Sequence, residues 1–191
     1  MAKATRNPII TGISGQVGNL LFRQVGNETI IGLSPDLSRV AATPAQLAHR
    51  RRFQEAAQYG KMAMADPEKH ALYQAEARQR HQPIFSVIVG DFFKPPTVTH
   101  VDAAAYTGQV GQVIVVQAQD DVLVTAVTLT LTDGAGVVLE TGAAQANPPN
   151  SGRWTYVTTA AANGAAVVRI VAAATDMPGH VGQAEVEVEL G

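Results

Sequence analysis

The second half of the chain alternates apolar and polar residues, and this pattern limits the fold more than any other feature. Segments such as VTLTL and AEVEVEL place Thr or Glu between Val and Leu, as in antiparallel strands that bury one face. Turn signals rich in Gly, Pro and Asn separate the segments. The predicted strands are 97–102, 109–119, 123–133, 137–142, 153–159, 165–176 and 182–190.

Short strands at this spacing predict an immunoglobulin-like β-sandwich. The chain has no Cys, so the disulfide of antibody domains is absent. Trp154 lies too late in the strand order to match the Trp of antibody strand C, although we expect it to be at least partly buried. The segments VVQAQDD, VTLTLTDGAGVVLETG, RWTYVTT and IVAAATDMPGHVGQAEVEVEL resemble bacterial immunoglobulin-like modules. That resemblance implies the fold, but such modules serve many functions.

The first half carries helix signals. Thr43-Pro44-Ala45-Gln46 combines an N-cap, a first-turn Pro and a capping-box Gln, and Asp66-Pro67 repeats the start signal. Residues 83–93 are ambiguous: we favour a third helix with Ile84, Phe85, Ile88 and Phe92 inward, and a strand is the alternative.

Lys94-Pro95-Pro96 forms a stiff boundary between the two halves. We therefore predict a hairpin and helical region at 1–94 and a sandwich at 95–191. The predicted fold class is α+β: an N-terminal β-hairpin, two or three helices, and then an antiparallel immunoglobulin-like β-sandwich.

The glycine-rich opening has two interpretations. Gly12, Gly15 and Gly18 have the spacing of a dinucleotide-binding turn, with Asp36 where an acid could bind ribose. That fold needs several buried parallel strands, and residues 34–83 contain none. A hairpin about Gly26-Asn27, with strands inside 17–33 and no helix at 19–25, accounts for more of the residues. An oxidoreductase is therefore a distant alternative.

A second resemblance supports the hairpin. GISGQVGNLLFRQVGNETIIGLSP followed by TPAQLAHRRRF is similar to uncharacterised bacterial and phage-associated proteins that open with a G-x-x-G-x-x-G-N hairpin. The matching positions are Gly12, Gly15, Gly18, Asn19, Thr43, Gln46, Arg50 and Phe53. The resemblance implies assembly or virion-like roles.

Composition excludes several kinds of partner and site. Net charge is −2, so no basic excess indicates nucleic acid. The apolar runs are too short to span a membrane. No classical signal peptide is evident, so we expect cytoplasmic synthesis, with a final location in a phage-like particle or outside the cell left open. Asp120, Asp121 and Asp176 are weak Ca²⁺ candidates, but turn capping accounts for them better. We predict no catalytic residue and no cofactor.

A two-stranded hairpin is marginally stable in water unless something covers it. We therefore predict a non-enzymatic structural protein that self-assembles through the hairpin, as in a particle, filament or virion-like component. The alternative is a monomeric immunoglobulin-like module that binds a glycan or protein at the sandwich loops. The predicted assembly residues are Leu20, Phe22, Val25, Ile30 and Ile31.

Overall fold

The computed structural model describes residues 2–4, 13–26, 28–34 and 41–190. The chain forms two compact units, residues 1–48 and residues 49–191. The predicted boundary at residues 94 and 95 lies between the last helix, which ends at Phe92, and the next strand, which begins at Thr97. Gly12, Asn27 and Asp36 lie outside the described residues.

The first unit contains a small antiparallel sheet. Its strands are β1 (Ala2–Ala4), β2 (Gly15–Val17), β3 (Leu20–Val25) and β4 (Glu28–Leu33), in the spatial order β1-β4-β3-β2. The predicted hairpin is confirmed, because β3 pairs with β4 from Leu20 opposite Leu33 to Val25 opposite Glu28. A dinucleotide-binding turn would be followed by a helix just after Gly18, but the chain forms strand β3 there.

Three helices follow: α1 (Pro44–Ala65), α2 (Pro67–Arg80) and α3 (Ile84–Phe92). The predicted capping box is present, since Gln46 N–H donates to Thr43 Oγ1 at 3.2 Å and Thr43 N–H donates to Gln46 Oε1 at 3.0 Å. Asp66 caps α2 by accepting from two backbone N–H groups. Residues 84–92 form a helix, which was the favoured of the two alternatives for this segment.

The prediction that Phe85 faces inward is wrong: the residue is 37% exposed, and its ring covers the space beside Gly60.

The remaining strands form two four-stranded antiparallel sheets. They are β5 (Thr97–Asp102), β6 (Val113–Gln119), β7 (Ala126–Asp133), β8 (Val138–Ala143), β9 (Gln145–Ala146), β10 (Arg153–Val157), β11 (Val167–Thr175) and β12 (Val181–Glu189). One sheet has the order β5-β6-β10-β9 and the other β12-β11-β7-β8. Lettered along the chain, these are A-B-E-D and G-F-C-C′, the strand order of an immunoglobulin-like sandwich.

Alternate residues of the two sheets form the main core. Leu129 and Leu131 of β7 and Ile170 of β11 are fully buried, and Ile114 of β6 meets them from the other sheet. Trp154 on β10 is 9% exposed, which confirms its expected burial. A second cluster joins the helices to two loops at one end of the sandwich and contains Tyr59, Ala63, Tyr73, Ala77, Val87, Ile88 and Met177.

A close approach near the start of the sandwich gives a stability prediction. A Cβ at Gly182 would overlap the carbonyl oxygen of Pro96, and backbone cannot move aside as a flexible side chain can. Gly182→Ala should therefore lower the free energy of unfolding by about 1–3 kcal/mol, measured by urea denaturation.

The matched control is Gly90→Ala. Gly90 lies inside α3, and a Cβ there meets no atom within 4 Å, so the change should be neutral or stabilise by up to about 1 kcal/mol. Equal effects of the two substitutions would contradict the packing at Gly182.

Candidate functional site

One face of the N-terminal sheet is apolar except at one end, where Gln24 lies opposite Thr29 and donates to its hydroxyl at 2.7 Å. Val17 and Leu33 lie opposite Leu20 on the two flanking strands, and Phe22 lies opposite Ile31. Directly opposed residues point to the same side of a sheet, and alternate residues of one strand do so too. The five residues therefore share a surface, here named the apolar face. Leu20 is 40% exposed, Val17 65% and Leu33 72%.

The opposite face is mixed in character. This face carries Leu21, Val25 and Ile30 beside the polar residues Arg23, Glu28 and Gln16. The five residues predicted for assembly are thus divided between the two faces: Leu20, Phe22 and Ile31 belong to the apolar face, whereas Val25 and Ile30 do not. Val25 is nevertheless 57% exposed.

Strands β1 and β2 occupy the two outer positions of this sheet. β2 pairs with residues 20–22 of β3, and β1 pairs with residues 29–31 of β4. The central part of the hairpin therefore already has hydrogen-bonded neighbours on both sides. Neither strand is predictable from the sequence, because three-residue strands have no recognisable period.

A groove lies at one end of the sandwich, between the β6–β7 loop and the residues that connect β9 to β10. Its volume is about 620 Å³, within the range of small-molecule sites. We call it the loop groove. Its lining combines apolar and neutral polar side chains with one carboxylate: Ala118, Gln119, Asp120, Val122, Leu123, Val124, Thr125, Ala146, Asn150, Ser151, Gly152 and Trp154.

Two residues of the loop groove keep a buried polar atom without a hydrogen-bond partner among the described residues. These atoms are Asp120 Oδ1 and Trp154 Nε1. The other Asp120 oxygen accepts from Leu123 N–H at 3.2 Å, and burial raises the pKa of Asp120. A buried donor or acceptor without a partner is costly, so both atoms distinguish this groove from an ordinary surface hollow.

A buried carboxyl lies where the helices meet the sandwich loops. Asp91 of α3 is fully buried, and its Oδ2 accepts from Tyr73 Oη at 2.6 Å. Tyr73 Oη also lies 3.1 Å from Tyr59 Oη. Asp91 Oδ1 has no partner within the described part of the chain. Burial raises the pKa of Asp91 to about 7 and outweighs the hydrogen bond from Tyr73, which lowers it; the nearby charge of Asp120 adds a smaller increase.

Two of the three predicted Ca²⁺ candidates, Asp121 and Asp176, have both carboxylate oxygens engaged by protein groups, whereas Asp120 keeps one oxygen without a partner among the described residues. Asp121 accepts from Arg80 Nη1 at 2.8 Å and Lys94 Nζ at 2.5 Å, and these cations outweigh burial and lower its pKa. Asp176 Oδ1 accepts from the backbone N–H groups of Gly179 and His180 at 2.6 Å. Across residues 2–4, 13–26, 28–34 and 41–190, no group of three or more His, Asp or Glu is placed to hold a metal ion.

Glu140 is a second buried carboxylate that the sequence did not reveal. Its Oε2 accepts from Tyr156 Oη at 2.9 Å and from the Thr159 N–H and hydroxyl at 2.8 and 2.7 Å. Burial raises the pKa of Glu140, but these bonds outweigh it and the pKa lies below its ordinary value. The residue joins β8 to β10 and the loop after it, so its role is structural.

Comparison with known proteins adds little. No protein-family model matches the chain, and no curated protein matches it. The structure of CopC from Methylosinus trichosporium OB3b is similar to it with 12% identity and a TM-score of 0.36, over 48% of this chain and 89% of that one.

The fold itself defines the class of the protein as α+β with an antiparallel β-sandwich. No helix of the described residues is long and apolar enough to cross a membrane.

Asp91 gives a pH prediction. Its pKa is about 7 in the folded protein against an ordinary 3.8, so the folded state binds more protons between these values. The contribution of Asp91 to the free energy of unfolding should therefore fall as pH rises through this window. Asp91→Asn keeps an acceptor for Tyr73 and removes the charge. Its stability relative to wild type should rise from pH 4 to pH 8 by on the order of 2–4 kcal/mol, measured by denaturant unfolding.

The matched control is Asp102→Asn, because Asp102 is exposed and accepts only a local bond from Ala104 N–H. That variant should follow the wild-type pH profile. An Asp91→Asn profile parallel to wild type would show that Asp91 is not a buried acid of raised pKa.

Proposed function

We propose that this chain is a non-enzymatic structural protein that self-associates through the apolar face of its N-terminal sheet. The observation that carries the proposal is that Val17, Leu20 and Leu33 share one face and are 40–72% exposed. Thr29 is the one buried residue among those described in 13–26, 28–34 and 41–48. Burial of the apolar face against a second copy would supply the apolar core that these residues lack.

Face-to-face packing fits better than strand addition. β1 and β2 already pair with the hairpin, so among the described residues the outer edges of the sheet belong to three-residue strands. Two copies of the apolar face would instead stack as two sheets about 10 Å apart, as in a sandwich. Such a contact uses the same patch on both copies and generates a closed dimer. A particle or filament, as the sequence predicts, needs a second contact besides this one.

The size of the apolar face sets the expected affinity. A sheet of four strands of up to six residues measures about 20 Å by 20 Å, or about 400 Å². A stable interface commonly buries about 800 Å² on each partner. We therefore expect weak self-association, with Kd in the micromolar range, which a higher-order assembly would strengthen through multiple contacts.

Two other functions were predicted as alternatives. A monomeric binding module is favoured by the loop groove, whose lining carries the two buried polar atoms without partners. A nucleotide-binding oxidoreductase has no comparable support, because β3 occupies the position where its helix would begin.

Matched charge substitutions on the two faces test the proposal. Leu33→Lys places a charge on the apolar face, and Val25→Lys places the same charge on the opposite face at a position of similar exposure. In size-exclusion chromatography with light scattering, wild type and Val25→Lys should dimerise with increasing concentration. Leu33→Lys should stay monomeric, with at least a tenfold weaker Kd because a charge would be buried.

Wild type that is monomeric up to high micromolar concentration would refute self-association. Equal loss in both variants would show that the contact does not use the apolar face in particular. In either case the binding module becomes the better interpretation.

A further inference from the structure

We propose that the loop groove binds a neutral saccharide, with ligand hydroxyl groups bonded to the indole N–H of Trp154 and to the Oδ1 atom of Asp120. This inference does not depend on self-association. It rests on the shape of the groove, the chemistry of its lining and the two buried atoms without partners.

One unsatisfied donor and one unsatisfied acceptor in the lining limit which chemical groups of a ligand can bind there. Trp154 Nε1 can only donate a hydrogen bond, and an ionised Asp120 Oδ1 can only accept one. A hydroxyl group can satisfy either atom, because it accepts with its lone pairs and donates its proton. A carboxylate or phosphate would face Asp120 with like charge, and an ammonium would leave the indole N–H unsatisfied.

The rest of the lining fits a saccharide. Lys, Arg and His are absent from the residues that line the groove, so an anionic ligand meets no counter-charge. Gln119, Thr125, Asn150 and Ser151 offer neutral hydrogen-bonding groups, and Val122 and Leu123 offer apolar surface. Sugar rings present both hydroxyl groups and C–H faces, so they use both kinds of surface. A hydrogen-bonding site of this sort strongly rejects analogues that lack the hydroxyl.

A backbone hydrogen bond fixes the orientation of the Asp120 carboxylate. Its Oδ2 accepts from Leu123 N–H, which fixes the carboxylate and leaves Oδ1 as the atom without a partner. Both polar atoms are closed to bulk water in the free protein. Binding therefore requires a small displacement of the lining and takes place in a water-poor environment, where a hydrogen bond is strengthened.

The chain's single Trp makes the first experiment direct. Trp154 is the one Trp of the sequence, so Trp emission, excited selectively over that of the Tyr residues, comes from this groove. Full-length protein is first screened on an array of neutral and acidic glycans, and every hit is titrated while the Trp emission is followed. We expect a neutral glycan to bind and shift the emission. Acidic glycans of the same core should bind at least tenfold more weakly.

Conservative variants then test the two atoms, with isothermal titration calorimetry as the readout. Trp154→Phe keeps an aromatic ring and removes the N–H, and Asp120→Asn keeps an acceptor for Leu123 and removes the charge. Each should weaken binding about tenfold or more. Thr155→Val is the control, because Thr155 points to the other side of β10 and should leave Kd unchanged.

Three results would overturn the proposal. The first is that no neutral glycan binds at up to about 10 mM, the weakest affinity worth assigning to a site. The second is binding that does not change the Trp154 emission or survives both substitutions. The third is preference for an acidic glycan or an extended peptide. Should Trp154→Phe fail to fold, as judged by its thermal transition, Asp120→Asn alone decides.

Discussion

Burial of alternate residues between the two sheets is the interaction on which the rest of the molecule depends. Leu129, Leu131 and Ile170 are fully buried there, and the strands that carry them fix the loops at both ends. Met177 and the partly buried Val122 and Leu123 extend from those loops into the helical cluster. The helices and the loop groove therefore owe their positions to one core. The N-terminal sheet has no such core among its described residues, which is why we propose an intermolecular role for it.

Local chemistry made much of the fold predictable from the sequence. The capping residues Thr43 and Asp66 satisfy backbone groups within a few positions of themselves, and such signals can be recognised in the sequence. Alternation of apolar and polar residues revealed the seven main strands, because a half-buried strand has a period of two. β9 was missed since a two-residue strand has no period. The position of Phe85 was wrong because its place depends on Gly60, in another helix.

The candidate sites were harder to predict, because they depend on residues that are distant in sequence. Asp91 resembles an ordinary surface acid of a helix until Tyr73 and the sandwich loops enclose it. The loop groove combines residues 118–125 with residues 146–154, and no motif links these segments. For the residues predicted to mediate assembly, the sequence was enough to predict that side chains alternate between the two faces of each strand. The register that places Leu20 between Val17 and Leu33 required the structure.

Hydrogen–deuterium exchange at low and high micromolar concentrations tests the central claim most directly, since it reads self-association and its location together. We predict that amides of residues 15–33 exchange more slowly at the higher concentration, because a second copy stabilises the N-terminal sheet. Peptides from the sandwich strands β6, β7 and β11 should exchange at the same rate at both concentrations. Exchange of residues 15–33 that is independent of concentration, or added protection confined to the sandwich, would contradict the account.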